Sequence, residues 1–295
     1  MSSLKDIRTR ITSVKSTRQI TSAMKMVSAA KLKKAQDSVI NLRPYAHKLN
    51  EILSNITRSV NLAENNIYAR SGYPDKILLV VVSSNKGLCG GFNANVIKET
   101  IRLIDEDYSG ENEEGNVDIL TIGKSATDYF IKKGYKIVGS DNELLEQLSF
   151  EKATPLIEKI IESFVHKNYD CVRLVYNRFK NAAVQVLTSD QFLPVTVNYH
   201  EEEEESFMNF DYIMEPDQEY IVKNLIPKSL KLNFYEALLE SLAAEHGARM
   251  TAMHKATDNA TSLIKELQLT YNKARQATIT NEISEIVGGA EALNK

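Results

Sequence analysis

The sequence from Leu230 to Ala274 reads LKLNFYEALLESLAAEHGARMTAMHKATDNATSLIKELQLTYNKA. Apolar or small residues recur in it at alternating steps of four and three. The first phase is Leu230, Phe234, Ala237, Ser241, Ala244 and Ala248, and after a slip of two residues the second is Met250, Met253, Thr257, Ala260, Ile264, Leu267, Tyr271 and Ala274. This spacing places one stripe along one side of an α-helix.

The segment around this pattern predicts a helix over residues 227–295. A third phase continues through Ile279, Ile283 and Ile286, and no proline follows Pro227. At 1.5 Å per residue such a helix is on the order of 100 Å long. It needs a partner along its length, because helix propensity alone does not hold so long a helix straight. The phase slips favour an irregular supercoil over a uniform zipper.

Residues 1–60 predict a second long amphipathic helix, which we expect to pair with the C-terminal one as an antiparallel coiled coil. We expect Pro44 to interrupt it. Its apolar positions are Leu4, Ile7, Ile11, Val14, Met24, Val27, Leu32, Val39, Leu42, Leu49, Ile52 and Ile56.

The N-terminal helix is strongly basic. Residues 1–34 hold nine lysines and arginines and one acid, Asp6. The stripe is either a solvated face of the coiled coil or a cationic surface for an acidic partner. A basic, acid-poor amphipathic start is also typical of a mitochondrial transit peptide. The periodicity runs far past any plausible cleavage point, so the shaft interpretation is preferred.

Residues 71–200 predict a small α/β domain with a mixed sheet. Strands are expected over 76–83, 117–122, 135–138, 172–179 and 184–192, the last two joined tightly around Asn181. Helices are expected over 93–105, 125–133 and 154–167, the last with Thr154 as its N-cap and Pro155 at its first position. Residues 107–116 read as an acidic loop, and residues 201–226 as a loop-rich return segment.

The chain shows no pattern typical of catalysis. Its composition, 43% hydrophobic and 25% charged, is that of a soluble protein, and its longest apolar run is far too short to cross a bilayer. Two cysteines and five histidines form no metal-ligand spacing. The Gly-containing loop from Ser83 to Asn93 stands where α/β domains bind phosphate, but it matches neither the dinucleotide fingerprint nor the P-loop. A tight turn is the preferred interpretation, with nucleotide binding as the alternative, and we expect no cofactor.

Three motifs resemble the gamma subunit of rotary ATP synthases. The segment RQATITNEISEIVGGA, from Arg275 to Ala290, is similar to that family's C-terminal signature. ITSAMKMVSAAKL, from Ile20 to Leu32, is similar to its N-terminal helix, and KGLCG, from Lys86 to Gly90, to the turn after its first strand. The pair Ser84-Asn85 departs from the family, which usually has Ser-Asp before a basic residue, so any local role of that acid is in doubt.

The resemblance implies a bacterial-type, non-catalytic subunit. Its terminal helices would form the rotor shaft inside three alpha and three beta subunits, and its Rossmann-like side domain would stand with the epsilon subunit on the membrane c-ring. One copy would serve each complex, with no nucleic acid bound and with membrane contact through partners alone. Because no presequence precedes the helix, we expect a peripheral protein on the cytoplasmic face of the bacterial inner membrane.

The resemblance also implies roles for single residues. Arg275 and Gln276 match a pair that hydrogen-bonds a loop of beta, and both side chains offer directional donors. Met24, Lys25 and Arg249 are expected to face beta as well. The expected c-ring and foot contacts are Lys31, Lys33, Lys34, Tyr212 and Glu215, and the expected bearing tip is Ile283, Ile286 and Val287. The alternative function is a coiled-coil scaffold whose α/β domain binds a partner; a third is a nucleotide-binding enzyme with its site at residues 86–93.

Overall fold

A computed structural model describes residues 4–59, 67–68, 72–195 and 218–293 of the chain. A long helix stands at each end, and a five-stranded sheet lies between them in sequence. The elements are α1 (Leu4–Ser59), β1 (Ile77–Val82), α2 (Phe92–Arg102) with a π-helical turn (Leu103–Asp107), α3 (Ser109–Glu113), β2 (Val117–Ile122), α4 (Lys124–Lys133), β3 (Ile137–Asp141), α5 (Phe150–Val165), β4 (Cys171–Phe179), β5 (Gln185–Leu193) and α6 (Gln218–Leu293).

The chain divides into two compact units. The helical unit consists of residues Met1–Ala29 and Arg249–Lys295, and the sheet unit of residues Ala30–Ala248. In the helical unit the first part of α1 packs on the part of α6 that ends near Ala274. A hydrogen bond joins them there, with the Thr257 hydroxyl donating to the Thr21 hydroxyl at 2.8 Å.

The sheet of the sheet unit is mixed, as the sequence predicts. Its strand order is β3-β2-β1-β4-β5. The first four strands are parallel, and β5 pairs antiparallel with β4. The two hydrogen bonds between the backbones of Asn181 and Val184 close the tight β4–β5 hairpin expected around Asn181. A parallel sheet is covered on both faces, which explains why all six residues of β1 are buried.

Alternate residues of β1 contribute to two cores. Leu78, Val80 and Val82 pack in a cluster with residues of α5 and α6. Ile77, Leu79 and Val81 pack in a second cluster with residues of α2 and α4. The sheet is therefore a central layer with α5 and α6 on one face and α2 and α4 on the other, Ile52 of α1 packs beside α5 and α6, and the C-terminal helix supplies part of the core.

Helix α1 has a stripe of covered side chains that recur at alternating steps of three and four residues. An apolar stripe was expected through Met24 and Val27, but Val27 is 57% exposed and the covered stripe passes through Thr21 and Ser28 instead. The reason is the helix period: covered positions repeat every seven residues from Ile7, and Val27 lies outside that frame. All positions of this frame, 4, 7, 11, 14, 18, 21, 25, 28, 32, 35, 39, 42, 46 and 49, are buried or half-buried, and positions 22, 24, 29, 36 and 38 beside it are half-buried as well.

Helix α6 changes from burial on all sides to burial along one stripe. Within the sheet unit, every residue from Ala237 to Ala248 is buried except the half-buried Leu242. From Met250 to Ala274 every position of the predicted second phase is buried or half-buried, which confirms that phase, and positions 251, 252, 256, 261 and 263 beside it are half-buried as well. Residues 275–290 are all exposed, and the third phase, with Ile286 71% exposed, packs on nothing in the described part of the chain.

Three expected helix boundaries are wrong. Helix α5 begins at Phe150, because Ser149 is its N-cap and accepts a hydrogen bond from the amide of Lys152 at 3.3 Å. Pro155 lies inside that helix. Pro44 does not end α1, and α6 begins at Gln218, so Pro227 and residues 218–226 are helical. A proline removes one helical hydrogen bond, which the packing of a long helix can offset.

The acidic segment after α2 was expected to be a loop, but part of it is helical. The short helix α3 lies within the expected loop of residues 107–116, and the π-helical turn over Leu103–Asp107 precedes it. Arg102 donates to the carboxylates of Glu99, Glu106 and Asp107. These ion pairs reduce the repulsion between acids that made a solvated loop the natural expectation.

We predict that Gly123→Ala destabilises the chain much more than Gly115→Ala. Both glycines have positive φ, at +102° and +74°. A Cβ at position 123 would lie 2.1 Å from the carbonyl oxygen of Ser83, whereas one at 115 would meet nothing within 4 Å. Gly115→Ala should cost about 1–2 kcal/mol of unfolding free energy from the left-handed backbone alone. Urea unfolding of the full chain measures both, and equal losses would contradict the steric argument.

We predict that Glu240→Gln gains stability relative to the native chain as pH rises. Burial raises the pKa of Glu240, partly opposed by its 3.2 Å ion pair with Arg43. A carboxyl group with a raised folded-state pKa binds protons more readily folded than unfolded, so its ionisation lowers stability as pH rises through that pKa. The difference in Tm, variant minus native, should be more positive at about pH 8 than at about pH 5. Glu266→Gln, at an exposed position of α6, is the control and should show no such trend.

Candidate functional site

Helix α1 presents apolar side chains outward within the helical unit. Ile20, Met26 and Val27 are 60%, 66% and 57% exposed, while Thr21 and Ser28 are buried. Polar residues inside and apolar residues outside invert the arrangement of an ordinary amphipathic helix. Clustered exposed apolar side chains are typical of a protein–protein contact surface. The expected contact residue Met24 is half-buried beside this cluster, and so is Lys25.

The basic residues of α1 are available to a partner. Among the described residues, no ion pair joins a lysine or arginine of residues 5–34 to an acidic side chain. Lys31, Lys33 and Lys34, expected at the foot, are all exposed. The other two foot residues, Tyr212 and Glu215, lie outside the described residues.

The C-terminal part of α6 is a bare helix. Arg275 and Gln276 are consecutive residues of the helix, and both are exposed. The apolar residues beyond them are exposed as well, with Ile283 at 56%, Ile286 at 71% and Val287 at 52%. Water-exposed isoleucine and valine along a whole helix end indicate a surface that a partner covers.

Arg249 differs from the other expected beta-contact residues. It is only 7% exposed, and it makes interactions of its own. A buried arginine is stable only where neighbouring groups pair with its charge or accept its hydrogen bonds. Its position therefore favours a role inside the chain over a direct contact at the surface.

The loop after β1 is the tight turn that the sequence favoured. Gly90 takes the left-handed conformation, with φ of 63°. Asn93, at the start of α2, closes the loop: its side chain accepts from the amide of Ser84 at 3.0 Å and donates to the hydroxyl of Ser125 at 3.2 Å. Cys89 is buried in it.

The crevice where an open parallel sheet ordinarily binds a ligand is filled by the chain itself. Such crevices lie at the carboxyl ends of strands where the strand order reverses, here between β1 and β4. Phe92 and Cys89 are buried there against Ala244 and Ala248 of α6. Asn177 donates to the carbonyl oxygen of Phe92 at 3.1 Å. This packing argues against nucleotide binding at residues 86–93. Among the described residues, no group of His, Cys, Asp and Glu is placed to hold a metal ion.

Asn85, which differs from the usual residue of the family, forms hydrogen bonds through both the oxygen and the nitrogen of its side-chain amide. Its oxygen accepts from the amide of Lys124 at 3.0 Å, and its nitrogen donates to the carbonyl oxygen of Asn142. The N-cap of α4 is Gly123, which has no side chain, so Asn85 supplies part of the cap from another loop, together with the carbonyl oxygen of Ser84 and the hydroxyl of Ser83. An aspartate could accept the first hydrogen bond but could not donate the second.

We predict that stability falls in the order native, Asn85→Asp, Asn85→Ala. The alanine removes one capping hydrogen bond of α4 and the link to Asn142, a loss of about 1 kcal/mol for capping alone. The aspartate keeps the acceptor and loses the donor. Urea unfolding of the three full-length chains measures the order. An aspartate variant as stable as the native chain would show that the hydrogen bond to Asn142 contributes nothing.

The described helices include none with an apolar stretch long enough to cross a bilayer.

Comparison with known proteins covers the whole chain. The family model for ATP synthase matches residues 3–293. The chain is 51% identical over 294 residues to the ATP synthase gamma chain of Christiangramia forsetii and 52% identical over 294 residues to that of Flavobacterium johnsoniae, with 100% of both chains covered in each case. The chain belongs to the ATP synthase gamma chain family.

Solved structures agree with this membership. The chain matches a chain of the central stalk and c-ring of Tetrahymena thermophila mitochondrial ATP synthase, with 26% identity and a TM-score of 0.57 over 80% of this chain and 99% of that one. A chain of the Euglena gracilis mitochondrial ATP synthase has the same fold, with a TM-score of 0.68 over 98% of this chain and 94% of that one, at 22% identity. Membership in the gamma chain family therefore explains why two long terminal helices and a mixed sheet occur in one chain.

Proposed function

We propose that this chain is the central rotor shaft of a rotary ATP synthase. Ion flow through the membrane c-ring turns the chain, which drives each beta catalytic site through its states in turn, and ATP hydrolysis reverses the rotation. The chain itself is not catalytic. The observation that carries the proposal is the full-length identity to gamma chains, 51–52% with no part of the chain left over.

The shaft in this proposal is an antiparallel coiled coil of residues 1–60 and 227–295. The heptad spacing of the covered positions in α1 supports it. Within the sheet unit, two contacts run in opposite order along the helices: Arg43 pairs with Glu240, and the ammonium of Lys228 lies 5.6 Å from the ring centre of Tyr45. The proposal treats residues 71–200 as a Rossmann-like side domain, which the four parallel strands support, and 201–226 as the foot segment.

We assign the beta-subunit contact to two exposed surfaces. One is the C-terminal helix end with Arg275 and Gln276, whose donors suit carbonyl and carboxylate groups of a loop. The other is the apolar and basic face of α1 beside Met24 and Lys25. Arg249 supports this contact from inside the chain. The apolar residues Ile283, Ile286 and Val287 would form the bearing tip, where contacts without directional hydrogen bonds allow a helix to turn.

The foot contacts the c-ring through Lys31, Lys33 and Lys34 together with Tyr212 and Glu215. The exposed lysines suit an acidic or polar partner surface. The match to a central-stalk chain solved with its c-ring supports this assignment. The full set of partners is three alpha and three beta subunits, one epsilon subunit and the c-ring, and the chain is peripheral on the cytoplasmic face of a bacterial inner membrane.

The test of the proposal is co-expression with the alpha and beta subunits of the same organism, followed by native mass spectrometry. We expect one copy of this chain per three of each partner, and ATPase activity that depends on its presence. A free homodimer with no association would overturn the rotor proposal and favour a coiled-coil scaffold.

We predict that Arg275→Ala and Met24→Lys each weaken assembly and lower ATPase activity of the complex. Loss of the Arg275 hydrogen bonds should reduce affinity by about tenfold or more, since a hydrogen bond to a charged group is worth roughly 1.5–3 kcal/mol. Lys132→Ala, an exposed residue of α4 in the sheet unit, is the control. If both variants form complexes as active and as stable as the native one, Arg275 and Met24 do not contribute to the contact with beta.

A further inference from the structure

The tip of the β4–β5 hairpin, residues 178–184, is exposed and cationic. Arg178, near the end of β4, and Lys180, in the turn, are both exposed, and Val184 on the other side of the turn is 47% exposed. Within residues 4–59, 67–68, 72–195 and 218–293, neither cation takes part in an ion pair. An apolar side chain beside two such cations suits a protein surface that is acidic and partly apolar.

Hydrogen bonds hold the hairpin tip in one shape. The side-chain oxygen of Asn181 accepts from the amides of Ala183 at 3.0 Å and Val184 at 2.8 Å. The side-chain amide of Gln185 donates to the carbonyl oxygen of Ala182 at 3.3 Å. These bonds add to the two that join the backbones of Asn181 and Val184. A loop that is already ordered loses little conformational entropy when it binds a partner, so this tip is prepared for a contact.

The hairpin follows α6 to the end of the sheet unit. Phe179 packs against the cluster that contains Ala248, and the Cα of Ala182 lies 3.4 Å from a Cβ built on Gly247. The sheet unit ends at Ala248, and the next residue, Arg249, begins the helical unit. From Gly247 to Arg249 the helix rises by about 3 Å. A subunit that binds α6 from Arg249 onward therefore reaches the neighbourhood of the hairpin tip.

Protection of the sheet edge does not explain these two cations. Lysines on an edge strand prevent it from pairing with strands of other chains. The edge strand here is β5, and its one charged residue is Asp190. Arg178 belongs to β4, which is paired on both sides, and Lys180 belongs to the turn. The positive charge thus lies at the tip and not along the edge, which favours binding at the tip.

We infer that the hairpin tip docks on an acidic surface of the beta subunit. The inference rests on the proposed rotor function and deepens it, because it extends the beta contact from the two helical surfaces to the sheet unit. A single rotor meets three copies of beta in turn. An ammonium on a flexible stem suits such a contact, since it pairs with a carboxylate without a fixed geometry and separates again easily.

The first test is cross-linking of the complex that the native chain forms with alpha and beta subunits. A carbodiimide activates carboxylates, and the deprotonated amine of a neighbouring lysine displaces the resulting urea and forms an amide. Mass spectrometry of the digested complex should show a peptide with Lys180 joined to an acidic peptide of beta. In the control, Lys180→Arg, the positive charge is kept but the guanidinium does not react, so the complex should form without this link.

The second test measures how fast the chain joins the alpha and beta subunits, from the onset of ATPase activity after mixing. Lys180→Glu should slow the association by about threefold to tenfold at low salt and much less at high salt, since salt screens exposed charges. Lys159→Glu is the matched control, because it makes the same charge reversal at an exposed position of α5 and should change the rate little.

The third test concerns the apolar side chain of the hairpin tip. Val184→Ser should make the assembled complex dissociate about two- to fivefold faster, because the loss of an apolar contact acts mainly on dissociation. Val138→Ser is the matched control, since Val138 on β3 is 46% exposed and undergoes the same substitution. Dilution of the labelled complex into unlabelled chain measures the rate of dissociation.

The outcomes separate failure of this inference from failure of the rotor function. If the native chain does not assemble with alpha and beta, the rotor function fails. If it assembles and Lys180 links to alpha or to neither subunit, docking of the hairpin tip on beta is refuted and the rotor function stands. Native rates for both Lys180→Glu and Val184→Ser refute the docking in the same way.

Discussion

The packing of α6 inside the sheet unit is the constraint on which the remaining structure depends. From Ala237 to Ala248 this helix is covered on nearly all sides, although its sequence is rich in alanine and includes glycine. Small residues make this possible, because they let the hairpin and the β1 loop approach the helix backbone. The same approach fills the crevice between β1 and β4, so the sheet has exchanged a ligand site for a helix contact.

C-terminal to Arg249, fewer residues of the same helix are covered by the rest of the chain. From Met250 to Ala274 a stripe of the helix is covered within the helical unit, and about half of the positions in this stretch are exposed. After Ala274 no face of the helix is covered in the described part of the chain, and its isoleucine and valine side chains are exposed to solvent. A chain with this gradient leaves apolar surface for partners to bury, which agrees with membership in a family of stalk subunits.

Much of the fold follows from local sequence signals. Aliphatic and β-branched runs predicted β1, β2, β4 and β5, and the three-and-four spacing predicted the covered stripe of α6 as far as Ala274. The start of α5 was missed because Pro155 is a strong signal for a first helical position, which made Thr154 the expected N-cap. Ser149, five residues before Thr154, is an equally good cap. The inverted face of α1 was missed because apolar residues were assigned to the covered stripe. The signal that could have found it is the unbroken heptad from Ile7, which requires Thr21 and Ser28 inside.

The sequence by itself determined the family, the two long helices and the alternation of strands and helices between them, because periodicity and motifs are local properties of the chain. It also provided the residues expected to meet partners, Arg275 and Gln276 among them. Tertiary structure alone decided that Asn85 caps a helix from a distant loop, that Arg249 is buried and that Gly247 lies against a hairpin. Each of these depends on atoms brought together from segments far apart in sequence, and no local pattern encodes such distances.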